Sequence, residues 1–305
     1  MGYLDSSASL PSAAWCRGGD HRTGPLDEHA AWRWLLGLAH QAAGDYGSSS
    51  SSGIKTSEAF DLFPADANSS VVSAVEPEAR GLLELYLPLC RGTPARFVVA
   101  HLGQSLDGRI AAVNGASHWV TGEEDIVHNH RMRALFDAVV VGAGTVRHDD
   151  PQLTVRAVSG PNPVRVVLDT RRRLGPDYRV FADGEAPTLL LCAEGLAAPG
   201  NRQGQAEVVG IPTRDGSLCL GAVLNCLADR GLGRVFVEGG GITVSRFLAA
   251  GCLHRLQITI APLIIGSGRA SITLPEVERV SAALRPQIRR FALGDDLLFE
   301  CRLDG

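Results

Sequence analysis

"VVVGAGTVRHDDPQLTVR", residues 139–156, decides which kind of α/β fold the chain adopts. It begins as an unbroken apolar strand, turns through Gly142, Ala143 and Gly144, and stops at Pro151. A Rossmann fingerprint needs G-x-G-x-x-G and a long helix starting inside it, whose N-terminus holds the pyrophosphate. Here the third glycine position is Arg147. Asp149, Asp150 and Pro151 arrive within two turns, and the residue before a proline is pushed out of the helical region. A crossover helix of ten or more residues therefore cannot follow. Asp169, at the end of the next strand, mimics the ribose-binding acid of the fingerprint but cannot rescue a motif that lacks its helix. The Rossmann reading fails, and a nucleotide site of another kind is left to consider.

Around this stretch the texture is strand followed by helix or loop. From Arg96 onward, strands are expected in "RFVVAHLG", "AVVVGA", "VRVVLDT", "TLLLCA", "AEVVGIP", "RVFVEGG" and "RLQITIAPLII", with a last one in "LLFECRL". Several are continuous Val, Ile and Leu runs, the pattern of strands covered on both faces. "GEEDIVHNHRMRALF" and "GITVSRFLAAG" read as helices between them. The alternation predicts an α/β domain over residues 95–305, with a mostly parallel central sheet flanked by helices. Residues 1–94 differ. "DEHAAWRWLLGLAHQAAG" is a helix with Asp27 as N-cap and Gly44 as stop, "YGSSSSSG" is a linker, and "EPEARGLLELYLPLC" is a second helix. This region is expected to be a small helical extension.

Composition bounds the function. The chain has 305 residues, 45% hydrophobic and 20% charged, with a net charge of -4, as in a globular protein without the basic stripe of a nucleic-acid binder. No apolar run reaches membrane-span length, and the N-terminus lacks the basic region of a secretory signal. Seven scattered cysteines with no C-x-x-C pair fit reduced thiols in a cytoplasmic protein without a metal site.

A second phosphate-site candidate is "RVFVEGGGITVSRFLAAG". A strand ends at Glu238, the triple glycine Gly239-Gly240-Gly241 follows, and a helix begins. Glycines allow close backbone approach, and a helix start favours an anion. A tight strand-to-helix turn with no ligand is an equal alternative for this feature alone.

Five stretches in order carry a resemblance: "SLDGRIA" (105–111), "GASHWVTGEE" (115–124), "RMRALFDAVVVGAGTVRHDDPQLTVR" (131–156), "PVRVVLDT" (163–170) and "FVEGGGITVSRFLAAGCLHRLQITIAPLIIG" (236–266). Together, over about two-thirds of the chain, they resemble the reductase domain of the bacterial bifunctional riboflavin-biosynthesis deaminase/reductase, which has a dihydrofolate reductase-like fold. The resemblance implies a homodimeric enzyme that uses NADPH to reduce 5-amino-6-(5-phosphoribosylamino)uracil, or a related phosphoribosylamino-pyrimidine, to its ribitylamino product. Position by position it implies cofactor contacts at Gly103, Trp119, Thr145, Asp149, Thr170 and the run from Gly239 through Ile242 and Thr243 to Arg246. It implies substrate contacts at Ser117, Arg133, Leu153, Arg156 and Glu238. Asp149 is the candidate catalytic residue.

Chemistry supports several of these roles. Guanidinium suits bidentate phosphate binding, so Arg133 and Arg156 fit a ribose phosphate. Glu238 stands at a strand's C-terminal end, where ligands of α/β sheets bind. Arg171, beside Thr170, suits the 2′-phosphate of NADPH, although Arg171 to Arg173 also read as a solvated charge run and Asp169 stands nearby as an objection. Asp150 reads as a turn residue only, and Asp107 either as a turn residue or as support for the site. His118, His128 and His130 read as surface or supporting residues, since no metal-ligand set accompanies them.

The N-terminal third departs from the resemblance. Its strings "EHAAW" and "LPLC" lack the H-x-E and P-C-x-x-C of a zinc deaminase, so a stand-alone reductase with an unrelated extension is expected. A dihydrofolate, pterin or secondary-metabolite reductase of the same fold is the rival enzyme, and a non-enzymatic nucleotide-binding module the rival of another class.

Overall fold

The computed structural model describes residues 26–41, 75–91, 93–117 and 120–303, so Gly44, the Ser-rich run, His118 and Trp119 lie outside the described residues. The chain divides into two units, Met1–Leu89 and Cys90–Gly305. In the first, α1 (Glu28–Gln41) and most of α2 (Pro77–Cys90) form a helical pair. Asp27 Oδ1 accepts the Ala30 N–H at 2.7 Å, the expected cap. A parallel bridge joins Leu26 to Val75, so the helices start side by side, and Trp32 meets Tyr86 edge-on at 5.9 Å.

The second unit contains β1 (Phe97–Ser105), β2 (Arg109–Ala111), α3 (Glu123–Leu135), β3 (Ala138–Gly142), α4 (Ala143–Asp149) and β4 (Val164–Leu168). Then come α5 (Arg179–Ala182), β5 (Thr188–Ala193), β6 (Arg202–Gln203), β7 (Ala206–Ile211), β8 (Thr213–Arg214), β9 (Ser217–Leu218) and α6 (Leu220–Ala228). The last elements are β10 (Arg234–Glu238), α7 (Gly241–Ala249), β11 (Arg255–Ala261), β12 (Arg269–Ala270), β13 (Gln287–Leu293) and β14 (Asp296–Arg302). Ten strands form one sheet in the order β13-β14-β11-β1-β10-β3-β4-β5-β7-β6. Its seven middle strands, β11 to β7, are parallel, while β14, β13 and β6 are joined at the margins by antiparallel pairing.

Apolar runs became central strands because both faces are covered. On one face Val98, Val140, Val166 and Val235 join Val223 and Leu227 of α6 and Val244 and Phe247 of α7 in one core. On the other, Phe136, following α3, stacks on Phe97 and tilts against Phe236, each at 6.0 Å. Burying a side chain of this size stabilises by roughly 1.5–3 kcal/mol, so alternate residues on both faces contribute.

The connectivity makes the crevice. From β1 the chain skips a place, lays down β3, β4, β5 and β7 outward, then returns to insert β10 between β1 and β3 and β11 beyond β1. The C-terminal ends of β1, β10 and β3 therefore face a topological switch point, where open α/β sheets bind ligands.

The opening stretch has the form expected. A helix of seven residues, α4, follows the strand, and Asp150 before the proline is forced into the left-handed region at φ 40°.

Candidate active site

Two glycine turns sit side by side at the switch point, because β3 and β10 are neighbours. They lock together through threonines. Gly240 N–H donates to Thr145 Oγ1 at 3.1 Å, and a Cβ on Gly142 would collide with Thr243 Oγ1. Gly241 is closed by backbone: its Cβ would strike the carbonyl of Ser271 and lie 2.7 Å from that of Ala270. Gly240 and Gly144 are open, the first with only Thr145 Oγ1 at 3.5 Å and the second with nothing within 4 Å. Neither α4 nor α7 has a side-chain cap at its N-terminus. The triple glycine thus differs from the outward-pointing cradle expected, since the Gly240 N–H already serves Thr145.

The loop from Asp149 to Arg156 is bent by two non-glycine residues at positive φ, Asp150 at 40° and Leu153 at 56°. Such conformations cost of order 1–3 kcal/mol each and persist where the surroundings enforce them. Buried Arg165 is one enforcer. It donates to the Gln152 carbonyl (3.2 Å), Asp183 Oδ1 (2.7 Å), Thr188 Oγ1 (2.8 Å) and the Ala186 carbonyl (2.8 Å). Ser117 Oγ donates to Asp149 Oδ1 at 3.2 Å, which brings two of the expected site residues together.

Arg133 and Glu238 are also brought together, as a two-pronged ion pair. Arg133 Nε donates to Glu238 Oε2 at 2.6 Å, its Nη2 donates to Oε1, and its Nη1 reaches the Thr154 carbonyl at 2.8 Å. Every nitrogen of the Arg133 guanidinium is engaged, so this arginine holds Glu238 rather than standing open to a phosphate. Arg156 is different: it is exposed, its Nη1 donates to Thr154 Oγ1 at 2.6 Å, and its N–H is held by His130 Nδ1 at 2.9 Å. Partial burial, then the charges of Arg133 and Arg179, lower the Arg156 pKa.

Behind Glu238 lies a buried polar ladder. Asp125 and Arg133 are eight residues apart on α3, on one helical face. Asp125 Oδ1 accepts from Thr259 Oγ1 at 2.6 Å and pairs with His101 Nε2 at 3.1 Å. His101 is the register partner of Glu238 across β1 and β10. Burial opposes charge on His101, but Asp125 and Glu238 outweigh it and raise its pKa. His128 is pushed down to about 3 by burial and by His101, and its Nε2 lies 2.9 Å from Gln257 Oε1. His130 is pushed down to about 4 by burial and by Arg133 and Arg156.

The remaining residues take separate places. Gly103 is half-buried in β1, where a Cβ would lie 2.5 Å from Thr121 Cγ2. Thr170 and exposed Arg171 follow β4. Asp169 accepts the N–H groups of Arg173 (2.6 Å) and Leu174 (2.8 Å), so it forms the turn. Arg172 ties the turn down through the Leu196 carbonyl at 2.8 Å. Asp107 accepts from Ser105 Oγ and from the N–H groups of Ile265 and Gly266, which lower its pKa to about 2. Leu153 is buried, and Ile242 is exposed at the start of α7. Sequence reasoning missed His101, Asp125, Thr154 and Arg165. The helical spacing of Asp125 to Arg133 was the one available signal.

Among the described residues there is no cluster of three or more His, Cys, Asp or Glu that could hold a metal, and no helix is long and apolar enough to cross a membrane.

The chain is 38% identical over 220 residues to the 2,5-diamino-6-ribosylamino-4(3H)-pyrimidinone 5′-phosphate reductase of Methanothermobacter thermautotrophicus, a match covering 68% of this chain and 99% of that protein. It is 33% identical to the riboflavin biosynthesis protein RibD of Bacillus amyloliquefaciens over 62% of this chain, but spans only 51% of that protein. Among solved structures it is similar to a Thermotoga maritima diaminohydroxyphosphoribosylaminopyrimidine deaminase/5-amino-6-(5-phosphoribosylamino)uracil reductase. That match has 29% identity and a TM-score of 0.58, and covers 75% of this chain and 62% of the other. The shared part is the α/β architecture with its mostly parallel central sheet. Residues 96–293 match the RibD C-terminal domain, and the chain belongs to that family of riboflavin-biosynthesis reductases.

Proposed function

We propose that this protein uses NADPH to reduce a phosphoribosylamino-pyrimidine to its ribitylamino product. The observation that carries the reading is the convergence of Ser117–Asp149 and Arg133–Glu238–Thr154–Arg156 at the switch point, beside two uncapped helix starts. The cofactor fits this ground: Gly144 and Gly240 leave open backbone beside two partial positive charges, which suits a pyrophosphate. Gly103, Thr145 and Gly239 to Thr243 would line its body, and Thr170 with Arg171 would hold its 2′-phosphate. Bound NADPH supplies the hydride.

The chain's own residues position the substrate. Glu238, held by Arg133 and paired in register with His101, accepts hydrogen bonds from the substrate's amino or hydroxyl groups. Arg156 pairs with the ribose phosphate, and the strained backbone at Leu153 presents the loop to it. Asp149, oriented by Ser117, stands between the cofactor and substrate sides. The pairing of Arg133 with Glu238 leaves Arg156 as the better phosphate ligand of the two.

The substrate is the 5-amino-uracil or its 2,5-diamino counterpart, the form named in the archaeal relative. An assay of NADPH oxidation with each, beside dihydrofolate and a dephosphorylated analogue, tests the reading. Turnover of one of the phosphorylated pyrimidines is expected. Turnover of dihydrofolate alone would replace this reading with the pterin one.

A further inference from the structure

The loop from Asp149 to Arg156 is pinned along its backbone by groups from outside it. The carbonyls of Asp150, Gln152 and Thr154 each accept from an arginine: Arg179 Nε at 2.8 Å, Arg165 Nη1 at 3.2 Å and Arg133 Nη1 at 2.8 Å. The Val155 N–H donates to Asn162 Oδ1 at 2.7 Å, and the Arg156 N–H to His130 Nδ1 at 2.9 Å. Asp150 Oδ1 also accepts the Arg179 N–H at 2.8 Å, so the loop and the start of α5 hold each other. We propose that Arg165, a fully buried residue of β4, is a positioning residue of the reaction: it keeps this loop in its substrate-binding shape and so sets the substrate KM. That role rests on the function proposed above.

Arg165 ties the loop to one anchor. Besides the Gln152 carbonyl, its guanidinium donates to Asp183 Oδ1 (2.7 Å), Thr188 Oγ1 (2.8 Å) and the Ala186 carbonyl (2.8 Å), all between the end of α5 and the start of β5. Asn162 ends in the same segment, since its Nδ2 donates to the Glu185 carbonyl at 3.1 Å. The loop needs an anchor because Asp150 and Leu153 lie at positive φ without being glycine. Side chains at those angles cost energy, so an untethered loop relaxes to other conformations. Arg165 does not drift with it, because leaving its place would break a buried ion pair with Asp183.

Populations make this tether functional. Leu153 and Arg156 are the loop's contacts to the substrate, and both depend on the same backbone. The apparent affinity of a ligand falls with the fraction of protein in the competent conformation. Arg165 keeps that fraction high, so this wall of the crevice is ready before substrate arrives. Loss of fold and loss of loop shape then have different signatures. The first removes active enzyme and lowers kcat; the second raises KM and leaves kcat alone.

The test is Arg165→Met combined with Asp183→Asn, which strands no carboxylate and keeps an acceptor for the Glu185 N–H. A lost hydrogen bond from a charged donor is worth about tenfold at the long end of its length range. KM for the phosphorylated pyrimidine should therefore rise about tenfold, with kcat and NADPH affinity unchanged. Exchange of the Val155 and Arg156 amide hydrogens should quicken in parallel. Arg165→Lys, which keeps the charge opposite Asp183, should show a smaller rise of the same kind. Asn162→Ala alters an exposed residue and should raise KM about threefold with an unchanged urea midpoint. Unchanged KM and amide exchange in both Arg165 variants overturn the role, and so does a lower kcat at unchanged KM, which would make Arg165 structural only. A wild type that turns over neither phosphorylated pyrimidine overturns the proposed function and the effect on KM with it, while amide exchange still decides whether Arg165 holds the loop.

Discussion

The turn after β3 contains Gly142 and Gly144; the turn after β10 contains Gly239, Gly240 and Gly241. Both follow central strands and both open a helix, yet their glycines have opposite surroundings. Gly142 and Gly241 are needed because something already fills the space of a side chain: Thr243 for the first, the carbonyls of Ala270 and Ser271 for the second. Gly144 and Gly240 have room to spare. Lack of a side chain thus serves internal packing at one position of each turn and leaves room for a ligand at another. A run of three glycines in a sequence does not say which is which; the atoms around each Cβ position do.

Five substitutions sharpen or break this division. Gly241→Ala should have the largest effect. Backbone carbonyls cannot rotate away as a side chain can, so a loss of about 3 kcal/mol or more is expected in urea unfolding. Near-wild-type stability would show that the 270–271 segment yields freely. Gly142→Ala should cost about 1–2 kcal/mol, because the obstacle is a hydroxyl at the end of a side chain. Combining it with Thr243→Ala should remove most of that cost, and strict additivity in the double-mutant cycle would refute the contact.

Thr145→Val keeps the shape but removes the acceptor of the Gly240 N–H, for a loss of about 1 kcal/mol. The readout is again the urea midpoint. Gly240→Ala should change stability by no more than about 0.5 kcal/mol, since its backbone angles, φ -60° and ψ 159°, suit alanine. Its effect belongs to the ligand: NADPH affinity, followed by nicotinamide fluorescence, should fall about tenfold if one contact to a charged group is lost. Unchanged affinity would place the cofactor phosphates elsewhere.

The legible and illegible parts of this molecule differ for physical reasons. Strands β1, β3, β4, β5, β7, β10 and β11 were visible because covering both faces demands continuous apolar runs. β13 was not, because "QIRRFAL" is an edge strand with mostly exposed side chains and no pattern to betray it. Helix α6, "LGAVLNCLA", is too apolar for its buried stripe of Leu220, Val223, Leu224 and Leu227 to stand out. At the site, motifs supplied residues but not their partners. Arg133 and Glu238 lie 105 residues apart, and only the return of β10 to the centre of the sheet brings them together. Asp150 looked like punctuation before a proline, and its hold on Arg179 depends on a helix whose four residues leave no periodic trace.

That late return also orders events in time. β1 pairs only with β10 and β11 in the large sheet, so its nearest partner in sequence begins at Arg234, about 140 residues downstream. Meanwhile β3, β4, β5 and β7 pair in succession and can assemble as they emerge. At about 5–20 residues per second, the apolar strand "FVVAHL" waits on the order of ten seconds during synthesis with both edges bare. Long-range parallel pairing of this kind is slow to form and prone to aggregate while it waits. A nascent chain stalled before Arg234 should be cleaved by protease within 97–105 while 138–211 resists, and equal protection of both segments would show that β1 finds shelter earlier. The feature that builds the ligand crevice is then also the one that leaves the growing chain most dependent on protection.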